Sequence, residues 1–138
     1  VDDEDLAVVV ELLASGRPAA PLLAYVRGRR RVALTPRDVN VYVRTMTGGS
    51  FTAKDFRTLR GTILAADALA RIGTTATKTD RKRAEVLAIK AAAAGLGNTP
   101  TVAKSSYIDP RVFARYRRGE LLDTTVSPES AIRALLSP

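Results

Sequence analysis

The chain predicts a mainly α fold, a compact domain of six or seven helices. Apolar residues recur at three- and four-residue spacing through most of it, Thr-Pro, Ser-Pro and Thr-x-x-Asp signals precede several of those runs, and glycines follow them. With 138 residues there is room for one core but not for two, so residues 1–138 are expected to form a single domain. The apolar fraction is 46%, ordinary for a globular protein, and no run approaches the roughly 18 apolar residues of a membrane span. No membrane association is expected.

The elements follow in order. VDDEDLAVVVELLASG starts acidic, carries Leu6, Val9, Val10 and Leu13 at helical spacing, and is expected to stop at Gly16. PLLAYV and RRVAL, around Arg27-Gly28, fit short strands or loop equally. In LTPRDVNVYVRTM, Thr35 is the N-cap, Pro36 the first turn and Asp38 the partner three residues on, with Gly48-Gly49 as the end. FTAKDFRTLRGTILAADALARIG repeats the device with Thr52 and Asp55, and Phe56, Leu59, Ile63, Ala66 and Ala70 form the apolar stripe of the longest core helix. After a polar stretch from Thr74 to Thr79, Asp80 leads into RKRAEVLAIKAAAAGLG, closed by Gly95 and Gly97. Thr99-Pro100 starts a short helix ending at Tyr107, Asp109-Pro110 opens another through Arg118, and Ser127-Pro128-Glu129 opens a last one to Leu136.

Charge narrows the partner. Lys and Arg number 22 against 14 acidic residues, a net charge of +8, and such an excess argues for a polyanionic partner, nucleic acid first. RGRRR at 27–31 and KTDRKR at 78–83 are clusters, and the second lies where a helix N-terminus disfavours cations. Lys54, Arg57 and Arg60 share one helix face, and Arg111, Arg115 and Arg118 share another. Each cluster also fits a plainly solvated surface. Together they favour duplex DNA held through its phosphates, with Lys54, Arg60, Arg81, Lys82, Arg83 and Lys104 as candidate contacts. Cys and His are both absent, which excludes disulfides, thiolate chemistry and the usual zinc sites. A cytoplasmic protein working at the nucleoid, as a monomer and without metal or cofactor, is the expectation.

Tyr107, in LGNTPTVAKSSYID, is the residue with chemical interest. A phenol has a pKa near 10, so it attacks a phosphodiester at neutral pH only where neighbours stabilise the phenolate and the charge building on the phosphoryl oxygens. Arginine suits that task because its planar fork matches phosphate oxygens and stays protonated. An amide adds a neutral donor. Arg57, Asn98 and Tyr107 offer one of each. On these residues alone, a tyrosine at a helix end beside Asp-Pro is more often a packing residue than a nucleophile.

GLGNTPTVAKSSYIDP resembles the active-site tyrosine segment of the type IB DNA topoisomerases, in which a Leu/Val-Gly-His/Asn-Thr-Pro element precedes Lys-x-x-Tyr by the same nine-residue interval. FTAKDFRTLRGT is similar to that family's Lys-Asp-Phe/Leu-Arg-Thr segment. The resemblance extends through VNVYVRTMTGGSFTAKDFRT and AIKAAAAGLGNTP, covers most of residues 1–120, and is closest to the small bacterial members that are similar to poxvirus enzymes. It implies a multi-helix catalytic lobe of the type IB topoisomerase and tyrosine recombinase fold. It also implies that Tyr107 attacks the scissile phosphate to give a 3′-phosphotyrosyl link and a free 5′-hydroxyl strand, which swivels and religates without ATP or metal. Arg57 would hold one non-bridging oxygen, and Asn98 the other in place of the usual histidine. Lys54 and Lys104 would contact DNA phosphates.

Two family residues, an upstream arginine and a lysine on a β-hairpin that protonates the leaving 5′-oxygen, have no assignable counterpart. RGRRR lies on the wrong side of the first helix to be that hairpin. The expectation is therefore a C-terminal part of the catalytic domain, without the N-terminal clamp, binding duplex DNA but relaxing supercoils poorly. Tyrosine recombinases are the nearest rival, but they prefer His-x-x-Arg where this chain has Lys54-Asp55-Phe56-Arg57, and Leu-Gly-His where it has Leu96-Gly97-Asn98. A helical DNA-binding module without chemistry is the rival of another class.

Overall fold

A computed structural model of the chain describes residues 4–15 and 20–137. It is mainly α, with seven helices and one two-stranded sheet among the described residues. The chain divides into two units, Val1–Ala53 and Lys54–Pro138.

In the first unit α1 spans Glu4–Ala14, with Glu4 and Asp5 in its first turn, where carboxylates complement the helix dipole. The expected stop at Gly16 lies outside the described residues. The apolar stripe buries little: Leu6 and Val9 are about half exposed, and Val10 and Leu13 are half-buried. The segment left open between strand and loop is a hairpin. β1 (Ala24–Arg27) and β2 (Arg30–Ala33) pair antiparallel with Arg27 opposite Arg30 and Val26 opposite Arg31. Gly28 takes the positive φ of 62° that the first position of such a two-residue turn requires. RGRRR thus forms the turn and its flanks, and the directly opposed arginines are destabilising in isolation. α2 (Pro36–Thr47) starts as expected. Thr35 Oγ1 accepts from the Asp38 N–H, while the Asp38 carboxylate accepts from the Thr35 N–H at 2.8 Å and from its hydroxyl at 2.7 Å. Those bonds hold the Asp38 carboxyl below the usual carboxylate range. Gly48, at φ 66°, closes the helix.

The second unit holds the core. α3 spans Ala53–Ile72, α4 Lys78–Leu96, α5 Pro100–Ser106, α6 Arg111–Arg117 and α7 Pro128–Leu136. Ile63, Ala65, Ala66 and Leu69 of α3 pack with Ala84, Ala88, Ile89, Ala92 and Ala93 of α4, and with Ala103, Ile108, Val112, Phe113 and Tyr116 beyond it. The expected α3 stripe is corrected at its start: Phe56 and Leu59 are 53% and 41% exposed, and burial begins at Gly61. Periodicity identifies a face, whereas burial ends where the neighbouring helices do. α4 starts earlier than expected, capped by Thr77 with Asp80 three residues on. Gly95 does not close it but sits inside it, where a Cβ would strike the Leu64 side chain. The residues after Leu121 pack on this core through Leu122, Ala131 and Ile132, and Arg111 Nη1 donates to the Leu136 carbonyl at 3.3 Å.

Candidate active site

Arg57 and Asn98 meet at one backbone carbonyl of the second unit, that of Leu96. α4 ends there in a Schellman motif: the Gly97 N–H donates to Ala94 O at 3.2 Å and the Asn98 N–H to Ala93 O at 2.9 Å. Gly97 carries the left-handed φ of 64° that the motif needs. This turn leaves the Leu96 carbonyl outside the helix ladder and points Asn98 back across it. Asn98 Nδ2 donates to Leu96 O at 3.4 Å, a long bond, and Arg57 Nη2, from the first turns of α3, donates to the same oxygen at 3.0 Å.

Tyr107 closes the group. It is the C-cap of α5, its N–H bonded to Ala103 O at 3.0 Å, and the Arg57 guanidinium lies 5.0 Å from its ring centre. At that distance a cation over an aromatic face is attracted by roughly 0.5–1 kcal/mol where solvent reaches it. One guanidinium therefore touches the tyrosine and a fixed carbonyl at once. Arginine has five N–H donors, so donors remain to meet an anion beside the ring. Arg57, Asn98 and Tyr107, singled out in the sequence, are brought together.

Two residues that sequence reasoning missed set this geometry. A Cβ on Gly61, one turn after Arg57, would overlap the Tyr107 carbonyl and press on the Leu96 side chain at 3.0 Å. Thr62, next along, accepts from the Asp109 N–H at 3.0 Å. The available signal was a lone glycine inside a helix, which costs about 1 kcal/mol against alanine and so indicates a close approach. Gly61→Ala should destabilise the chain by about 1–3 kcal/mol in urea unfolding, because the obstacle is backbone and overpacking outweighs the propensity gain. A more stable Gly61→Ala chain would refute the close contact.

The other candidates are dispersed. Lys54 and Lys104 are exposed, each three residues before a member of the group, Arg57 and Tyr107 respectively. Arg60 lines a cavity of about 530 Å³ together with Asp67, Arg71 and Asp123. Arg81, Lys82 and Arg83 lie at the opposite end of α4 from Asn98, roughly 20 Å away along the helix at 1.5 Å per residue. There Arg81 turns toward the Arg117 carbonyl at 3.4 Å, with its Nε buried and unpartnered, and Arg83 lies 3.5 Å from Asp80. The arginine stripe of α6 is largely neutralised: Arg111 pairs with Asp109 at 2.7 Å and Arg115 with Glu120 at 2.8 Å. Hydrogen bonding from Arg111 also holds the Asp109 carboxyl below its usual range.

Compared with known proteins, residues 14–119 match the family model of the eukaryotic DNA topoisomerase I catalytic core. That span contains Arg57, Gly61, Thr62, Asn98 and Tyr107. No curated protein matches the chain.

Proposed function

The chain belongs to the eukaryotic DNA topoisomerase I catalytic-core family, and on that premise we propose that Tyr107 is the nucleophile of a type IB reaction on duplex DNA. The observation that carries the reading is the shared contact of Arg57, which reaches the Tyr107 ring and the Leu96 carbonyl beside Asn98. A phosphodiester entering there meets a phenol, a permanent cation and a neutral amide donor.

The step balances without a cofactor. The phenolic oxygen of Tyr107 gives up its proton to solvent and bonds to phosphorus, the bond from phosphorus to the 5′-oxygen breaks, and the leaving strand end takes up a proton from solvent as its 5′-hydroxyl. Arg57 and the Asn98 amide hold the two non-bridging oxygens as charge gathers on them. The covalent link stores the bond energy, so the free 5′-hydroxyl reverses the reaction after the strand has swivelled.

Protonation of the leaving oxygen is the weak step. The upstream lysine that protonates the leaving 5′-oxygen in the family has no assignable counterpart among residues 1–138. We accordingly read the chain as the C-terminal part of a catalytic domain of the small bacterial, poxvirus-like kind, acting as a monomer at the nucleoid and relaxing supercoils slowly. Lys54, Lys104 and Arg60 would steer the duplex near Tyr107, and Arg81, Lys82 and Arg83 would meet DNA farther along.

A substrate that needs no general acid tests the proposal. The chain is incubated with a duplex carrying a 5′-bridging phosphorothiolate, whose sulfur leaves with little protonation, and is run on a denaturing gel. A covalent adduct mapping by mass spectrometry to the peptide containing Tyr107 is expected. A folded chain that binds the duplex yet yields no adduct would reduce the function to DNA binding.

A further inference from the structure

We propose that Thr62 is a positioning residue for the reaction, holding Tyr107 against Arg57 through the backbone of Asp109; this rests on the reading of Tyr107 as the nucleophile. Thr62 is buried, at 3% exposure. Its neighbours Ile63, Ala65 and Ala66 are buried apolar groups, and valine, of nearly the same shape, would suit such surroundings better than a hydroxyl that must find partners.

The hydroxyl has two partners, and they define its direction. Its hydrogen goes to the Thr58 carbonyl one turn back, at 2.6 Å, which fixes the rotor. A lone pair then faces the Asp109 N–H at 3.0 Å. Without it, the amide two residues after Tyr107 would be a partly buried donor with no partner.

The backbone is thereby tied on both sides of Tyr107. On the N-terminal side, the Tyr107 N–H is bonded to Ala103 in α5. On the C-terminal side, Gly61 admits the Tyr107 carbonyl against α3, and Thr62 holds Asp109 to the same helix. Arg57 stands on that helix five residues before Thr62, roughly 7.5 Å along its axis. A single rigid helix therefore sets both the cation and the attachment of the tyrosine segment, and the 5.0 Å separation of Arg57 from the ring follows. The Asp109 side chain is occupied with Arg111 and leaves the backbone tie to Thr62.

Thr62→Val and Thr62→Ser separate positioning from packing. Adduct formation on the phosphorothiolate duplex is followed at saturating DNA, with duplex affinity, thermal midpoint and hydrogen exchange of the Asp109 amide measured on the same chains. Valine should slow the adduct by about 10- to 100-fold, the scale on which small misplacements of a reacting group cost rate. It should leave duplex affinity unchanged and speed exchange at Asp109. Serine, which keeps the hydroxyl, should restore both the rate and the protection. A valine chain as fast as wild type would overturn the proposal, and so would a serine chain as slow as valine, since the methyl group would then be what matters. If the wild-type chain forms no adduct, the nucleophile reading fails and takes this proposal with it; a wild-type adduct that ignores Thr62→Val removes this proposal alone.

Discussion

Tyr107→Phe should abolish covalent adduct formation completely while leaving duplex binding and the thermal midpoint nearly unchanged. The substitution removes one oxygen. What holds the residue in place belongs to other atoms: its N–H on Ala103, its carbonyl against Gly61, and the ring face under the Arg57 guanidinium at 5.0 Å. Among the described residues nothing hydrogen-bonds to the hydroxyl itself, so its loss leaves no buried group unsatisfied and the stability effect should fall within the ±0.5 kcal/mol of an ordinary surface change. Phenylalanine also keeps most of the attraction to the guanidinium, because that attraction comes from the ring quadrupole. Chemistry and binding are thus separable at one atom. An adduct that persists in Tyr107→Phe would place the nucleophile elsewhere, with Ser105 and Ser106 as the adjacent hydroxyls to test.

The elements were legible wherever local chemistry decides them. Thr35-Pro36, Thr99-Pro100 and Ser127-Pro128 each begin a helix at the proline, since an N-cap oxygen and a fixed φ act within a few residues. The hairpin was not legible. Its strands are four residues long and nearly all exposed, so no alternation of apolar and polar residues marks them. Phe56 and Leu59 misled for a different reason: they continue a true helical period into turns that no core residue covers. Gly95 misled because a glycine near a helix end serves as readily for a close approach, here to Leu64, as for a cap.

The candidate site divides in the same way. Arg57, Asn98 and Tyr107 were legible as residue types in family-like motifs, but their meeting depends on α3 crossing the junction between α4 and α5, which is a tertiary fact. The Leu96 carbonyl could not be read at all, because it is a backbone acceptor that any residue supplies. What makes it available is the Schellman turn at Gly97. That the basic cluster near residue 80 lies far from Asn98 was readable in advance, since one uninterrupted helix separates them and its length is fixed by the rise per residue.

Arg57→Ala should lower the rate of adduct formation at saturating DNA by about 10²–10³-fold, the usual loss when one pre-organised donor to a developing oxyanion is removed. The effect belongs to the rate because of how the guanidinium is held. Its bond to Leu96 O and its place over the Tyr107 ring fix it before DNA arrives, so little reorganisation remains for the moment of reaction. Duplex affinity should change modestly, with the slope of log K against log salt falling by no more than about 1, the share of a single phosphate contact. Arg57→Lys sharpens the test: an ammonium keeps the charge but cannot reach carbonyl, ring and phosphate oxygen together through a planar fork, so it should recover only part of the rate. If lysine restored the full rate, charge alone would be sufficient and the geometry at Leu96 incidental. If alanine weakened binding and left the saturated rate intact, Arg57 would be a clamp on the duplex, and stabilisation of the transition state would have to come from elsewhere in the site.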